Sequence, residues 1–247
     1  MPPYLLTLAV SAIAFLYSSV GFGGATGYLA AMSLFGIQPE VMASTALVLN
    51  VLVASISFIS YYRAGHLNLR LLWPFLATSI PAAFLGGYLK LTDQIYFILL
   101  YAVLTFVAIR LLFFSKRLET RALRLPPLWI ALLVGLGIGL LSGMVGIGGG
   151  IFLSPVIIFA GWGSSKQSST VAAAFIVLNS ISGLVGRFTG GNFVFGGIGL
   201  MLIPFGLLGA LAGSYMGAQK FRSLALRRAL GIALCIAVMN YWIKLLG

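Results

Sequence analysis

From Tyr4 to Phe35 the chain runs through mostly apolar residues, and it does so again from Leu128 to Ala160. The first run has 32 residues, which as one continuous helix would reach ~48 Å at ~1.5 Å per residue. The hydrocarbon core of a bilayer is only ~30 Å thick. Each run is also interrupted by glycines, in "SVGFGGATGYL" (Ser19 to Leu29) and in "GMVGIGGGIFLSP" (Gly143 to Pro155). Glycine in a helix interior costs ~1 kcal/mol relative to alanine. Clusters of it inside apolar segments therefore predict two half-helices joined by an unwound turn. Unwound backbone at membrane depth is tolerated only where protein buries it or where it lines a cavity.

That reading presupposes a membrane, and the composition supplies one. Only 7% of the 247 residues are charged, against about 25% in a soluble domain, and the mean hydropathy is +1.11. So little charge cannot cover a water-exposed surface, and the chain reads as an all-α, polytopic helical membrane protein in contact with lipid. A net charge of +12 would suggest nucleic acid in a soluble protein. In a membrane protein, basic residues in short loops set orientation, so no nucleic-acid partner is expected. The lone Cys235 excludes an intramolecular disulfide and a CxxC metal site, and no cofactor is expected. The three acids, Glu40, Asp93 and Glu119, fall near segment ends, which leaves no carboxylate pair at midplane for catalysis. His66 lies in the polar loop "RAGHLNLR" and reads as interfacial. The start, "MPPYLLTLAV", lacks the basic region of a cleavable signal peptide, so Leu5 onward is expected to stay as membrane segment.

Four apolar stretches (Tyr4–Phe35, Val41–Tyr62, Leu71–Leu89 and Ile95–Phe114) precede a basic linker, "SKRLETRALRLPP", and four follow it (Leu128–Ala160, Thr170–Phe188, Phe195–Ala218 and about Ala229–Leu246). This is the pattern of an internal duplication, with a first repeat over 1–114, a linker over 115–127 and a second repeat over 128–247. An offset of 125 maps Gly21, Gly23 and Gly24 onto Gly146, Gly148 and Gly149. The same offset maps Gly36 onto Gly161, and Ser44 and Thr45 onto Ser169 and Thr170. "IPAAFLGG" (Ile80 to Gly87) answers "IPFGLLGA" (Ile203 to Ala210). If every stretch crossed singly, Lys and Arg would split 9 against 6. If the first segment of each half instead returns to the side it entered from, each half crosses three times and the halves are inverted. With Lys90, Lys166, Arg187 and Lys244 opposite the linker, the split becomes 11 against 4. The positive-inside rule favours the second arrangement, with the linker cytoplasmic.

Broken helices in an inverted repeat build the binding sites of secondary transporters. The N-terminus of a half-helix carries partial positive charge and unpaired N–H groups, which suit an anion. The half-helices after Gly24 and Gly149 would present such ends to each other at midplane. Gly21, Gly23, Gly24, Gly146, Gly148 and Gly149 are therefore candidate ligand-facing residues. Close helix packing is the alternative use of such glycines, and it is the favoured one for Gly86, Gly87, Gly135 and Gly139. Ser44, Thr45, Ser169 and Thr170 begin the second segment of each half, and read equally as N-caps or as ligand contacts. Asn50 and Asn179, a turn or two deeper, are either interhelical glue or ligand donors, since an intramembrane amide must find a partner. Arg187, near a helix end, either snorkels to the interface or attracts the anion.

At these residues, "GFGGATG" (Gly21 to Gly27) and "GMVGIGGG" (Gly143 to Gly150) with a basic linker between two sets of segments, the chain resembles the TauE/SafE sulfite-exporter family, also called the TSUP permeases. The resemblance covers nearly the whole chain. It implies a multi-pass protein of the inner (plasma) membrane that carries a small sulfur-containing oxyanion such as sulfite, thiosulfate or an organosulfonate. Ala25 stands where the second half has Gly150, so the two half-sites need not contribute equally. A passive anion channel and a non-transporting membrane subunit are the alternatives, and homo-oligomerisation is left open.

Overall fold

The computed structural model describes residues 3–19, 21–63, 65–113 and 124–219, together with Cys235, Val238, Met239 and Trp242. Nine helices lie within the first four of these spans: α1 (Pro3–Ser18), α2 (Ala25–Leu34), α3 (Pro39–Arg63), α4 (Leu69–Tyr88), α5 (Asp93–Phe113), α6 (Leu128–Val145), α7 (Gly150–Phe159), α8 (Ser165–Thr189) and α9 (Gly197–Gln219). Six of them, α3 to α6 with α8 and α9, are long and apolar enough to cross a membrane. The linker up to residue 123 and most of the stretch expected over 229–246 lie outside the described residues.

Both over-long segments break where the glycines stand. Gly21 and Gly146 share a φ of 90°, and each closes its helix with the same bond. Phe22 N donates to Tyr17 O at 2.9 Å, and Ile147 N donates to Ser142 O at 3.2 Å. The half-helices α2 and α7 also end alike. Ile37 N donates to Met32 O and Trp162 N to Ile157 O, around Gly36 and Gly161 in left-handed conformation, which is a Schellman closure. The offset of 125 thus holds for backbone hydrogen bonds as well as for residue types. The start of the following helix departs from expectation. Ser44, Thr45, Ser169 and Thr170 are not N-caps, because α3 already begins at Pro39 and α8 at Ser165. Proline is pre-shaped for a helix's first turn, and Ser164 with Gln167 forms a capping box for α8.

Small residues then set the packing, as is usual between membrane helices. A Cβ on Gly135, Gly139 or Gly143 would overlap the carbonyl oxygen of Phe75, Ser79 or Ala83 respectively, so α6 lies parallel to α4 at backbone contact. Gly186 meets Phe84 O, Gly190 meets Tyr88 O, and Ser182 Oγ donates to Ile80 O at 2.6 Å, so α8 also runs parallel to α4. In the other half Gly209 and Gly213 meet Ser11 O and Phe15 O, and α9 runs parallel to α1. Each half therefore lends its α4-type helix to the broken helix of the other. At the centre α3 and α8 run antiparallel. Val194 N donates to Ser44 Oγ, Leu47 faces Gly183, and Tyr61 and Ser169 both face Gly21. These two are the most buried of the six spans.

Candidate functional site

The half-helices α2 and α7 open on Gly24 and Gly149, with φ of 96° and 75° and no side-chain cap on either. Only glycine adopts that conformation without strain, and the absent cap leaves first-turn N–H groups without a side-chain acceptor. Both turns are buried, over residues 21–25 and 145–150.

Asn50 of α3 joins them. It is fully buried, and its amide is wedged between Gly23 and Gly148. A Cβ on Gly23 would overlap Oδ1, and one on Gly148 would stand 2.6 Å from Nδ2. Nδ2 donates to Ile147 O at 3.0 Å. That carbonyl fixes which way the amide points, and leaves Oδ1 on the Gly23 side with no hydrogen-bond partner among the described residues. Ile176 Cγ2 touches the space over both glycines, and Ser180 Oγ lies 2.9 Å from the Gly148 position. Asn50 is therefore interhelical glue through one N–H of its amide, and its oxygen is an open acceptor on the Gly23 side.

The other candidates distribute unevenly. Gly23, Gly148 and Asn50 meet, whereas Gly21 lies beside Tyr61 and Ser169, and Gly146 lies against Ala43. Gly149 faces Ile138 Cγ2 at 2.6 Å and Phe175 Cε1 at 2.9 Å from its Cβ position, an apolar wall. Ser44 accepts from Val194 N. Thr170 Oγ1 donates back to Lys166 O, whereas the equivalent Thr45 hydroxyl is buried and unpartnered among the described residues. Asn179 Nδ2 donates to Phe175 O on its own helix, and its Oδ1 is unpartnered in the same sense.

Arg187 does not snorkel. It is only 5% exposed, and its Nη2 donates to Met144 O at 2.7 Å and to Gly143 O at 3.3 Å. Tyr96 Oη donates to the next carbonyl, Val145 O, at 3.1 Å. The two side chains cap the negative end of α6, where carbonyls lack intrahelical partners. A cavity of about 20 Å³ beside them is lined by Glu40, Lys90, Tyr96, Arg187 and Asn192 among others, room for about one water. A larger apolar groove of about 570 Å³ opens between α5 and α7 along Phe106, Ile109, Arg110, Pro155 and Phe159.

Tyr28, Ser180, Arg110 and Tyr96 belong to the surroundings of the turns, and the motifs did not point to them. For Tyr28 the sequence held a signal, since it stands one helical turn after Gly24. For the other three the contact is set by tertiary packing alone. Among the described residues no three His, Cys, Asp or Glu side chains come together to hold a metal ion.

A family model described as "Sulfite exporter TauE/SafE" matches residues 6–241. "Probable membrane transporter protein y4hK" of Sinorhizobium fredii (strain NBRC 101917 / NGR234) is 33% identical over 244 residues, covering 98% of this chain and 97% of that relative. "Probable membrane transporter protein YjnA" of Bacillus subtilis (strain 168) is 28% identical over 221 residues, covering 83% of this chain and 84% of that relative. No solved structure matches the chain.

Proposed function

The chain belongs to the sulfite exporter TauE/SafE family and is a membrane transporter, and from that premise we propose that its cargo is a sulfur-containing oxyanion bound at the crossing of the two glycine turns. The observation that carries this reading is the meeting of Gly23 and Gly148 on Asn50, each glycine next to the uncapped N-terminus of a buried half-helix. Such ends favour negative charge without a dedicated cation. Glycine also lets an oxyanion approach the amides closely.

The halves, 1–114 and 128–247, are inverted with respect to each other in this reading, and the 115–127 linker is cytoplasmic. The antiparallel α3 and α8, equivalent by the offset of 125, support it. So does the exchange of α4 and α9 between halves. Lys166, which the residue count set opposite the linker, moves to the linker's side, because α7 returns there and Arg124 N donates to Gly161 O. The positive-inside bias grows accordingly. Arg187 serves first as the cap of α6, and its charge biases the bundle interior toward anions.

A flux screen tests the cargo. Purified protein in proteoliposomes should move at least one of sulfite, thiosulfate, sulfoacetate and taurine with saturation. Absence of flux for all four would remove the sulfur oxyanion. Flux that never saturates would favour a channel.

A further inference from the structure

The two turns match in backbone and differ in what surrounds them. At the first, the Tyr28 hydroxyl lies 2.7 Å from the Cβ position of Gly24, so the phenol folds back over the N-terminus of its own ten-residue helix. Tyr28 is fully buried, and its hydroxyl has no hydrogen-bond partner among the described residues. Asn50 Oδ1, equally buried and unpartnered, abuts the neighbouring Gly23. Tyr17 and Thr26 share a 2.7 Å hydrogen bond at the same helix start. The Arg110 guanidinium stands 6.0 Å from the centre of the Phe22 ring while its Nη1 donates to Ile151 O, which sets a positive charge beside the turn. At the second turn Leu153 stands where the first half has Tyr28. Gly149 there faces only Ile138 and Phe175, and Arg187 is bound to the carbonyls of α6.

A buried hydroxyl with nothing to bond destabilises the protein that carries it, and phenylalanine would fill the same shape without that penalty. Packing therefore does not account for the tyrosine. We propose that the anion site is one-sided: the oxyanion seats at the N-terminus of α2, accepts the Tyr28 O–H, and donates an O–H or N–H of its own to Asn50 Oδ1. This rests on the reading that the chain carries an oxyanion. An anion without an O–H or N–H has nothing to give Asn50 Oδ1, so the fitting ligand carries its own donor.

Isethionate and ethanesulfonate have the same charge and sulfonate group, and only isethionate bears a hydroxyl. Binding of each, and of sulfite, is measured on purified wild type and Tyr28→Phe in detergent. Wild type should bind isethionate about tenfold or more tighter than ethanesulfonate, because a site left with an unpaired polar group rejects the analogue lacking its partner. Tyr28→Phe should keep or raise the unfolding temperature without ligand and bind isethionate and sulfite about tenfold or more weakly. Equal wild-type affinity for the two sulfonates, or unchanged binding by Tyr28→Phe, would overturn this proposal while wild-type sulfite binding left the proposed function standing. Wild type that binds none of the three would overturn both.

Discussion

Replacing Arg187 with methionine separates its role as a helix cap from a role on the substrate. The side chain keeps much of its apolar stem, and loses the donors to Met144 O at 2.7 Å and Gly143 O at 3.3 Å. A hydrogen bond with one charged partner contributes ~1.5–3 kcal/mol. The 3.3 Å bond lies beyond the usual range and counts for about half, so the pair is worth ~2–4 kcal/mol. Tyr96 still serves Val145 O, so the end of α6 is weakened rather than stripped. Arg187→Met should therefore lower the unfolding free energy by ~3 kcal/mol, about two orders of magnitude in the equilibrium constant, in reversible denaturant titrations in mixed micelles. Arg187→Lys, which keeps one charged donor, should recover roughly half of the loss. Stability within ~0.5 kcal/mol of wild type for Arg187→Met, the scale of a neutral surface change, would refute the cap. If sulfite affinity fell at the same time, Arg187 would act on the anion instead.

Three further outcomes follow from the same geometry. Gly86→Val should abolish folded protein, judged by size-exclusion chromatography in detergent, because the new Cβ would overlap Leu140 O and stand 2.9 Å from Met144 N; a monodisperse wild-type peak would contradict the α4–α6 contact. Gly36→Ala meets open space at positive φ and should lose only the ~1–2 kcal/mol of left-handed strain, whereas Gly149→Ala adds overlap with Ile138 and Phe175 and should lose clearly more in the same titration. Single cysteines at Ser115 and at Gly191, in a Cys235→Ser background, should label from opposite faces of the membrane, and labelling from one face would remove the inverted arrangement.

The broken segments were legible in the sequence because length against bilayer thickness and the spacing of glycines are both local quantities. The offset of 125 was legible too, and it extends to paired bonds such as Phe22 N to Tyr17 O and Ile147 N to Ser142 O. Partners across the halves were not legible. Asn50 reads in the chain as a lone amide in an apolar helix, and its wedge between Gly23 and Gly148 exists only once both turns fold against α3. Arg187 sits near a helix end, the usual place for a snorkelling side chain, yet α6 ends beside it and takes its donors. Ser44 and Thr45 lie inside α3 rather than at its cap because Pro39, a residue favoured where a helix starts, opens the helix several residues earlier.

A carrier with a closed binding site behaves differently in flux from a pore or a passive subunit. Counterflow of radiolabelled sulfite from proteoliposomes tests this most directly. A carrier's site must return across the membrane, and it returns faster when loaded. Efflux of labelled sulfite should therefore saturate with internal concentration and accelerate when unlabelled sulfite is supplied outside. Efflux that rises linearly with concentration and ignores external sulfite would contradict the account, as would the absence of efflux.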